Sequence, residues 1–262
     1  MKMLTHGHAC MSIFYNEKRL VIDPWLEDGI YFNGWHHLTD PIYDDSIFDT
    51  DYIYLTHWHF DHFHEKTMEK FNKKAQVFVP KFPVSFLQTN LQKLGFENIT
   101  EMVHTKLYTL DNGLEIRSFQ VSHGDDSVIV VSSHDTVFVN INDAHPSKSI
   151  WKSIKSKYPK IDFAARSHSP AMSYPGCYTF EDEIDHFQLG KEEYIDAFYN
   201  AMDILRPKWA VPFASGICHL HNENFSQNQH LVLPFEVEEY MIKNPIPGVE
   251  FIDMTVGSSW DE

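Results

Sequence analysis

Residues 55–64 read "LTHWHFDHFH", which places four histidines and one aspartate in ten positions directly after the β-favouring run "DYIY" at 51–54. A chain with 17 histidines will gather some of them by chance. The order argues for more than that: "HWHFDH" sets His57, His59, Asp61 and His62 at the end of a hydrophobic strand that fixes the start of the segment. Side chains two apart on an extended segment point the same way, so His57 and His59 can grip one ion while the chain turns. Asp61 and His62, at the turn into the next helix, are then free to face a second ion. Imidazole and carboxylate suit zinc, iron or manganese, whereas calcium prefers oxygen ligands alone.

The 262 residues, 43% of them hydrophobic, supply a packed core of enzyme size. No internal repeat and no linker-like run divides the chain, so residues 1–262 are expected to form a single domain. A net charge of −16, from 37 acidic and 21 basic residues, argues against a nucleic-acid partner, whose phosphates require clustered Lys and Arg. Cys10, Cys177 and Cys218 are odd in number and widely spaced, with no C-x-x-C pair, which argues against a disulfide framework or a zinc knuckle. The opening "MKMLTHGHACMSIFY" lacks a signal-peptide pattern, and no segment approaches 18 uninterrupted apolar residues. A cytoplasmic protein with no membrane insertion, acting on a small molecule, is expected; the sequence leaves its oligomeric state open.

Along the chain, "MSIFYN", "RLVIDPW", "DYIYL" and "QVFVP" read as strands, with a polar helix-like run from Phe60 to Phe71 among them. From Leu107 to Ile141 four strand-like runs follow one another, separated by the turn signals "DNG", "HGDD" and "SHD", which predicts a meander. "SIWKSIKSKY" and "KEEYIDAFYNAMDIL" read as helices, "KIDFAARS" and "KWAVPF" as strands, with a Pro- and Gly-punctuated loop through Gly176 between them. Helices outside two central sheets are the expected arrangement.

The H-x-H-x-D-H segment resembles the signature of the metallo-β-lactamase fold, an α+β four-layer αββα sandwich with its metal site at one edge. The resemblance implies further ligands: His123 in "VSHGDD", and Asp143 in "NINDAH" as a carboxylate bridging two metals. "THGHACMSIFYNEKRLVIDPWL" (5–26) is similar to the opening hairpin of the branch containing ascorbate-6-phosphate lactonases and N-acyl-phosphatidylethanolamine phospholipases. By that likeness His8 lies near the metals in a catalytic role, and Asp23 orients a histidine ligand from behind. "DPWLEDGIYFNGW" (23–35), "SHSPAMSYPGCYTF" (167–180) and "PKWAVPFASGICHLHNENFSQN" (207–228) resemble the metallo-β-lactamase-like portion of CMP-N-acetylneuraminate hydroxylases. Those hydroxylases also carry a Rieske iron-sulfur domain, whose paired Cys/His ligands the three cysteines here do not provide.

One departure stands out. Hydrolytic members of the fold complete the second metal with a late histidine, where this chain reads Pro212, Phe213, Ala214. His168, His219 and His221 are the replacement candidates, and a weak second site is the alternative. Trp25, Trp35 and Trp58 are candidates for lining a substrate pocket, and Arg166 for holding a carboxylate or phosphate. His36, His37, His64, His104, His134 and His145 are assigned to the surface or to satisfied core positions.

The expected cofactor is a pair of divalent ions, zinc first, with iron or manganese as alternatives. Two such ions about 3.5–4 Å apart lower the pKa of a shared water toward about 7, creating hydroxide at neutral pH. Asp61 and Asp143 offset the cationic charge and orient that nucleophile. Hydrolysis of an amide, ester, lactone or phosphodiester is the expected reaction. The alternatives are a non-haem iron hydroxylase acting on a sugar nucleotide or related metabolite, and a binding protein that keeps the fold without catalysis.

Overall fold

The computed structural model describes residues 1–121, 125–171, 181 and 189–261. Its strands are β1 (Lys2–Gly7), β2 (Cys10–Tyr15), β3 (Lys18–Ile22), β4 (His36–His37), β5 (Tyr52–Tyr54), β6 (Gln76–Pro80), β7 (Asn98–Met102), β8 (Leu107–Thr109), β9 (Glu115–Val121), β10 (Asp126–Ser132), β11 (Val137–Asn142), β12 (Phe163–Arg166), β13 (Trp209–Pro212), β14 (Ile217–Cys218), β15 (Glu250–Phe251) and β16 (Ser259–Asp261). The α-helices are α1 (Glu65–Lys70), α2 (Phe86–Lys93), α3 (Lys148–Lys157), α4 (Lys191–Leu205) and α5 (Pro234–Lys243).

Two seven-stranded sheets form the centre, in the orders β16-β1-β2-β3-β5-β6-β7 and β15-β13-β12-β11-β10-β9-β8. Period-two alternation explains the layering, because successive side chains leave a strand on opposite faces. In β10, Ile129 and Val131 enter the core between the sheets, with Met11, Ile13, Leu20 and Phe163. Val128 and Val130 leave the other face, where Trp151, Ile154, Phe198 and Val237 of α3, α4 and α5 cover them. On the far side, Val21, Ile53 and Val77 pack under Met68, Leu87 and Leu91 of α1 and α2. The architecture is the expected αββα sandwich.

The meander is present as the antiparallel series β8-β9-β10-β11. β3, β5, β6 and β7 run parallel in one sheet, as do β11, β12, β13 and β15 in the other. The carboxyl ends of β5, β11, β12 and β13 lead directly into the segments that carry Thr56–His62, Asp143, His168 and Ala214. Ligand sites in such sheets form beyond strand carboxyl ends.

The helix expected over 60–71 is shorter than its polar pattern suggested. The backbone N–H groups of His62 and Phe63 both donate to the His59 carbonyl in a turn, and α1 begins only at Glu65. His64 stands at its N-cap, with Nδ1 2.9 Å from Thr67 Oγ1. The loop read through Gly176 lies largely outside the described residues.

Candidate metal centre

Three segments meet at the strand ends. The 55–62 segment leaves β5 with His57 and His62 fully buried, and His57 Nε2 lies 2.9 Å from His59 Nδ1. His62 Nε2 lies 3.3 Å from Asp61 Oδ2 and 3.5 Å from Asp143 Oδ1, while Asp143 Oδ2 is 3.8 Å from His57 Nε2. His8, on the turn between β1 and β2, places Nε2 3.2 Å from Asp61 Oδ2. The donor atoms fall into two groups, each with its atoms within 4.8 Å of one another: His8, Asp61 and His62; and His57, His62 and Asp143.

Local structure aims these side chains. Asp143 follows a register shift between β11 and β12, where Asn142 sits at φ 48°. Asparagine tolerates that left-handed conformation. Its side chain accepts from the Asp143 and Ala144 N–H groups and donates to the Ser127 carbonyl, which fixes the carboxylate's direction. His62 Nδ1 is 2.8 Å from Asp23 Oδ2, and Asp23 accepts from the Thr56 N–H (2.7 Å) and hydroxyl (2.6 Å). With Nδ1 engaged, His62 presents Nε2 to the centre. His57 Nδ1 is 3.0 Å from Thr56 Oγ1, and Asp126 Oδ1 lies behind it at 3.4 Å. The Tyr31 hydroxyl donates to Asp61 Oδ1 at 3.2 Å.

Burial penalises every charge here, and the neighbours decide which survive. Burial, reinforced by His62, pushes His57 down to about 3. Burial opposes the charged form of His62 as well, but Asp61, Asp143 and Asp23 outweigh it and hold its pKa well above the ordinary imidazole value. Burial and the Asp143 carboxylate push Asp126 well up. Burial also works against Asp143, yet His57 and His62 bring its carboxyl below the usual range.

Divalent cations fit this donor set. His8 Nε2, His62 Nε2 and Asp143 Oδ1 are buried and make no well-formed hydrogen bond among the described residues. Leaving such an atom unsatisfied costs about 1–3 kcal/mol, which coordination would remove. Neutral imidazole and carboxylate are the ligand types that zinc, iron and manganese accept. His57, His59, Asp61, His62, Asp143 and His8 are thus brought together, with Asp23 behind them. His123 lies outside the described residues.

The other candidates are placed differently. His219 is held away from the centre, Nδ1 being 3.1 Å from the Gly34 carbonyl, and His221 is exposed. His168 is buried, with Nδ1 unpaired among the described residues, and lines a cavity of about 200 Å³ with His8, Ala214, Ser215 and Met254. Trp25 is fully buried and stacks on His37 at 3.7 Å, and Trp35 is buried beside Tyr31. Trp58 is exposed, next to Phe86. Arg166 is buried and donates to the Ala144 carbonyl. His37, assigned to the surface or a satisfied core position, is buried with both ring nitrogens unpaired among the described residues.

Sequence reasoning did not single out Tyr31 or Asp126. Asp126 ends the "HGDD" turn beside His123, and that adjacency was a usable signal. Tyr31 had none, since its approach to Asp61 depends on a loop in which residues 31–33 all have positive φ.

Comparison with known proteins shows the family and the fold. The family model described as a beta-lactamase superfamily domain matches residues 2–144. A Mycobacterium tuberculosis protein named for a Rieske 2Fe-2S centre is 30% identical over 236 residues, which cover 85% of this chain and 45% of that protein. The cytidine monophosphate-N-acetylneuraminic acid hydroxylase of Danio rerio is 24% identical over 272 residues, 95% of this chain and 45% of the hydroxylase. The chain thus spans less than half the length of these curated relatives. The crystal structure of an isothiocyanate hydrolase from Delia radicum gut bacteria superposes with a TM-score of 0.69 at 18% identity, covering 100% of this chain and 99% of that one. The chain belongs to the β-lactamase superfamily and has the metallo-β-lactamase fold.

Proposed function

We propose that the chain is a metal-dependent hydrolase of a small polar metabolite, with an amide, ester, lactone or phosphodiester as its target and residues 1–262 working as one domain. The observation that carries this reading is the convergence of His8, His57, Asp61, His62 and Asp143 in two donor groups, with the exposed His59 beside His57 and with the Nε2 atoms of His8 and His62 lacking a hydrogen bond among the described residues. Divalent cations bound there, zinc first with iron or manganese as alternatives, supply Lewis acidity toward the substrate and acidify a water to a nucleophile near neutral pH.

The chain's residues do the rest. Asp23 and Asp126 orient His62 and His57 from behind. Asp61 and Asp143 offset cationic charge, and Asp143, about a quarter exposed, faces the side open to solvent. Tyr31, whose pKa is raised by burial and by Asp61, stays a neutral donor and holds Asp61 in place. Arg166 places a buried positive charge behind Asp143. The cavity beside His8 gives room for an apolar part of the substrate.

A panel of lactone, ester, amide and phosphodiester substrates, assayed with zinc- or manganese-loaded protein, tests the reading. Hydrolysis is expected, with at least about a 100-fold loss in His59→Ala. Turnover that occurs only with consumption of dioxygen would overturn it. A second reading, an iron-dependent hydroxylase, is favoured by the similarity to the Danio rerio hydroxylase across 95% of this chain. It requires a source of electrons outside residues 1–262, and stoichiometric iron with oxygen uptake distinguishes it.

A further inference from the structure

The segment after β13 carries Ala214 where the family resemblance expects a metal-binding histidine. We propose that His8, from the turn between β1 and β2, supplies that ligand, so that His8, Asp61 and His62 hold the second of two divalent cations. The proposal rests on reading the centre as a two-ion site.

Donor geometry gives the first support. The His8 side chain is 1% exposed, its Nε2 sits 3.2 Å from Asp61 Oδ2, and neither ring nitrogen makes a well-formed hydrogen bond among the described residues. A buried imidazole without partners is costly unless something inward satisfies it. The nearest inward groups are Asp61 and His62, whose own Nε2 is unpaired as well.

Backbone packing gives the second. The Ala214 N–H donates to the His8 carbonyl at 3.2 Å, and a Cβ placed on Gly216 would meet the His8 Cα at 3.5 Å. The turn thus lies in van der Waals contact with the segment after β13 and is hydrogen-bonded to it through Ala214. The Ala214 position and the His8 ring are therefore two sides of one contact: what the segment after β13 does not provide, the turn after β1 in the facing sheet does. The ring is also held in orientation, edge-on to His62 with centroids 5.7 Å apart and 5.4 Å from Trp25.

The competing histidines stand outside the two donor groups. His219 Nδ1 lies 3.1 Å from both the Gly34 carbonyl and Asn224 Nδ2, and His221 faces solvent. His168 lines the cavity alongside His8 and Ala214 and belongs to neither donor group.

The test counts ions. The protein is stripped with a chelator, reloaded with Mn²⁺, desalted and analysed for metal per chain, with electron paramagnetic resonance as a second readout. The unaltered protein is expected to hold two ions with a spin-coupled signal. His8→Ala is expected to hold one, with the six-line signal of isolated Mn²⁺, while His168→Ala and His219→Ala retain two. Circular dichroism establishes that each variant is folded, and His8→Gln, which keeps side-chain bulk, replaces the alanine variant if that one unfolds. Two ions bound at unchanged affinity in a folded His8 variant overturn the proposal, as does loss of an ion in His168→Ala or His219→Ala. An unaltered protein that takes a single ion defeats the two-ion reading itself, so the two failures are distinguishable.

Discussion

Asp23 is fully buried, has φ 44°, and commits both carboxylate oxygens to Thr56 and His62. Burial raises its pKa, against the lowering effect of His62 and Thr56. Its contribution is directional: it fixes which nitrogen of His62 faces the centre. Asp23→Asn keeps an acceptor for the Thr56 N–H but withdraws the charge behind the imidazole. Metal affinity is expected to fall about 10–100-fold with the fold retained. Competition titration against a chromophoric chelator measures this, and an unchanged affinity would contradict the assigned role. At this scale the 57–62 segment was legible because its donors are closely spaced along one strand end and turn. Tyr31 and Asp126 were not, because their meetings with Asp61 and His57 are made by long-range chain paths that no local spacing encodes. His37 departs from the surface or satisfied core position assigned to it, being stacked on Trp25 with neither ring nitrogen paired among the described residues.

Between elements, Tyr54 ties the sheets together. Its hydroxyl, at the end of β5, lies 2.9 Å from Ser118 Oγ on β9 and from Ser127 Oγ on β10. Ser127 in turn donates to the Thr56 carbonyl, just before His57. The metal-binding segment thus leaves one sheet while pinned to the other. Tyr54→Phe removes one member of a buried polar network and leaves two serines short of a partner. A loss of about 1–3 kcal/mol in stability is expected from chemical denaturation; a value within error of zero would show the network to be slack. The meander and α4 were readable because turn residues and helical periodicity mark them in the sequence itself. α5 carried readable signals too, with Pro234 at its first position and Glu236 accepting from the Leu233 N–H. The short α1 was overread, since its polar lead-in is a turn shaped around the centre rather than helix.

Across the whole molecule, acid sensitivity follows from histidines buried neutral. His37 and His168 are both lowered to about 3, first by burial and then by the neighbouring His8. The unfolded chain titrates them near 6.5, so it binds more protons than the folded chain between pH 6.5 and 3. Their contribution is complete above pH 6.5 and is lost progressively as the pH falls toward 3. At pH 5 the cost is about 2 kcal/mol per histidine. Denaturant unfolding at pH 7.5 and 5.0 should show His168→Asn losing about 2 kcal/mol less than the unaltered protein over that interval; equal losses would refute it. The layered fold was legible at this scale because alternation and the order of elements constrain the architecture strongly. The route by which the centre is completed was not, because Ala214 and His8 are far apart in sequence and meet only once both sheets are assembled.

β1, which ends at His8, lies between β2 and β16, and β16 pairs Ser259, Trp260 and Asp261 with Leu4, Met3 and Lys2. During translation the hairpin bearing His8 leaves the ribosome well before Asp61, Asp143 and Ala214, and its outer flank is the last of these segments to emerge. Until β16 emerges, that outer edge of β1 has no strand beside it. Under the proposed ligand set His57, His59, Asp61, His62 and His8 all lie within the first 62 residues, but the turn carrying His8 is braced only when Ala214 packs against it. Full affinity for the second ion would then report that the two sheets have come together.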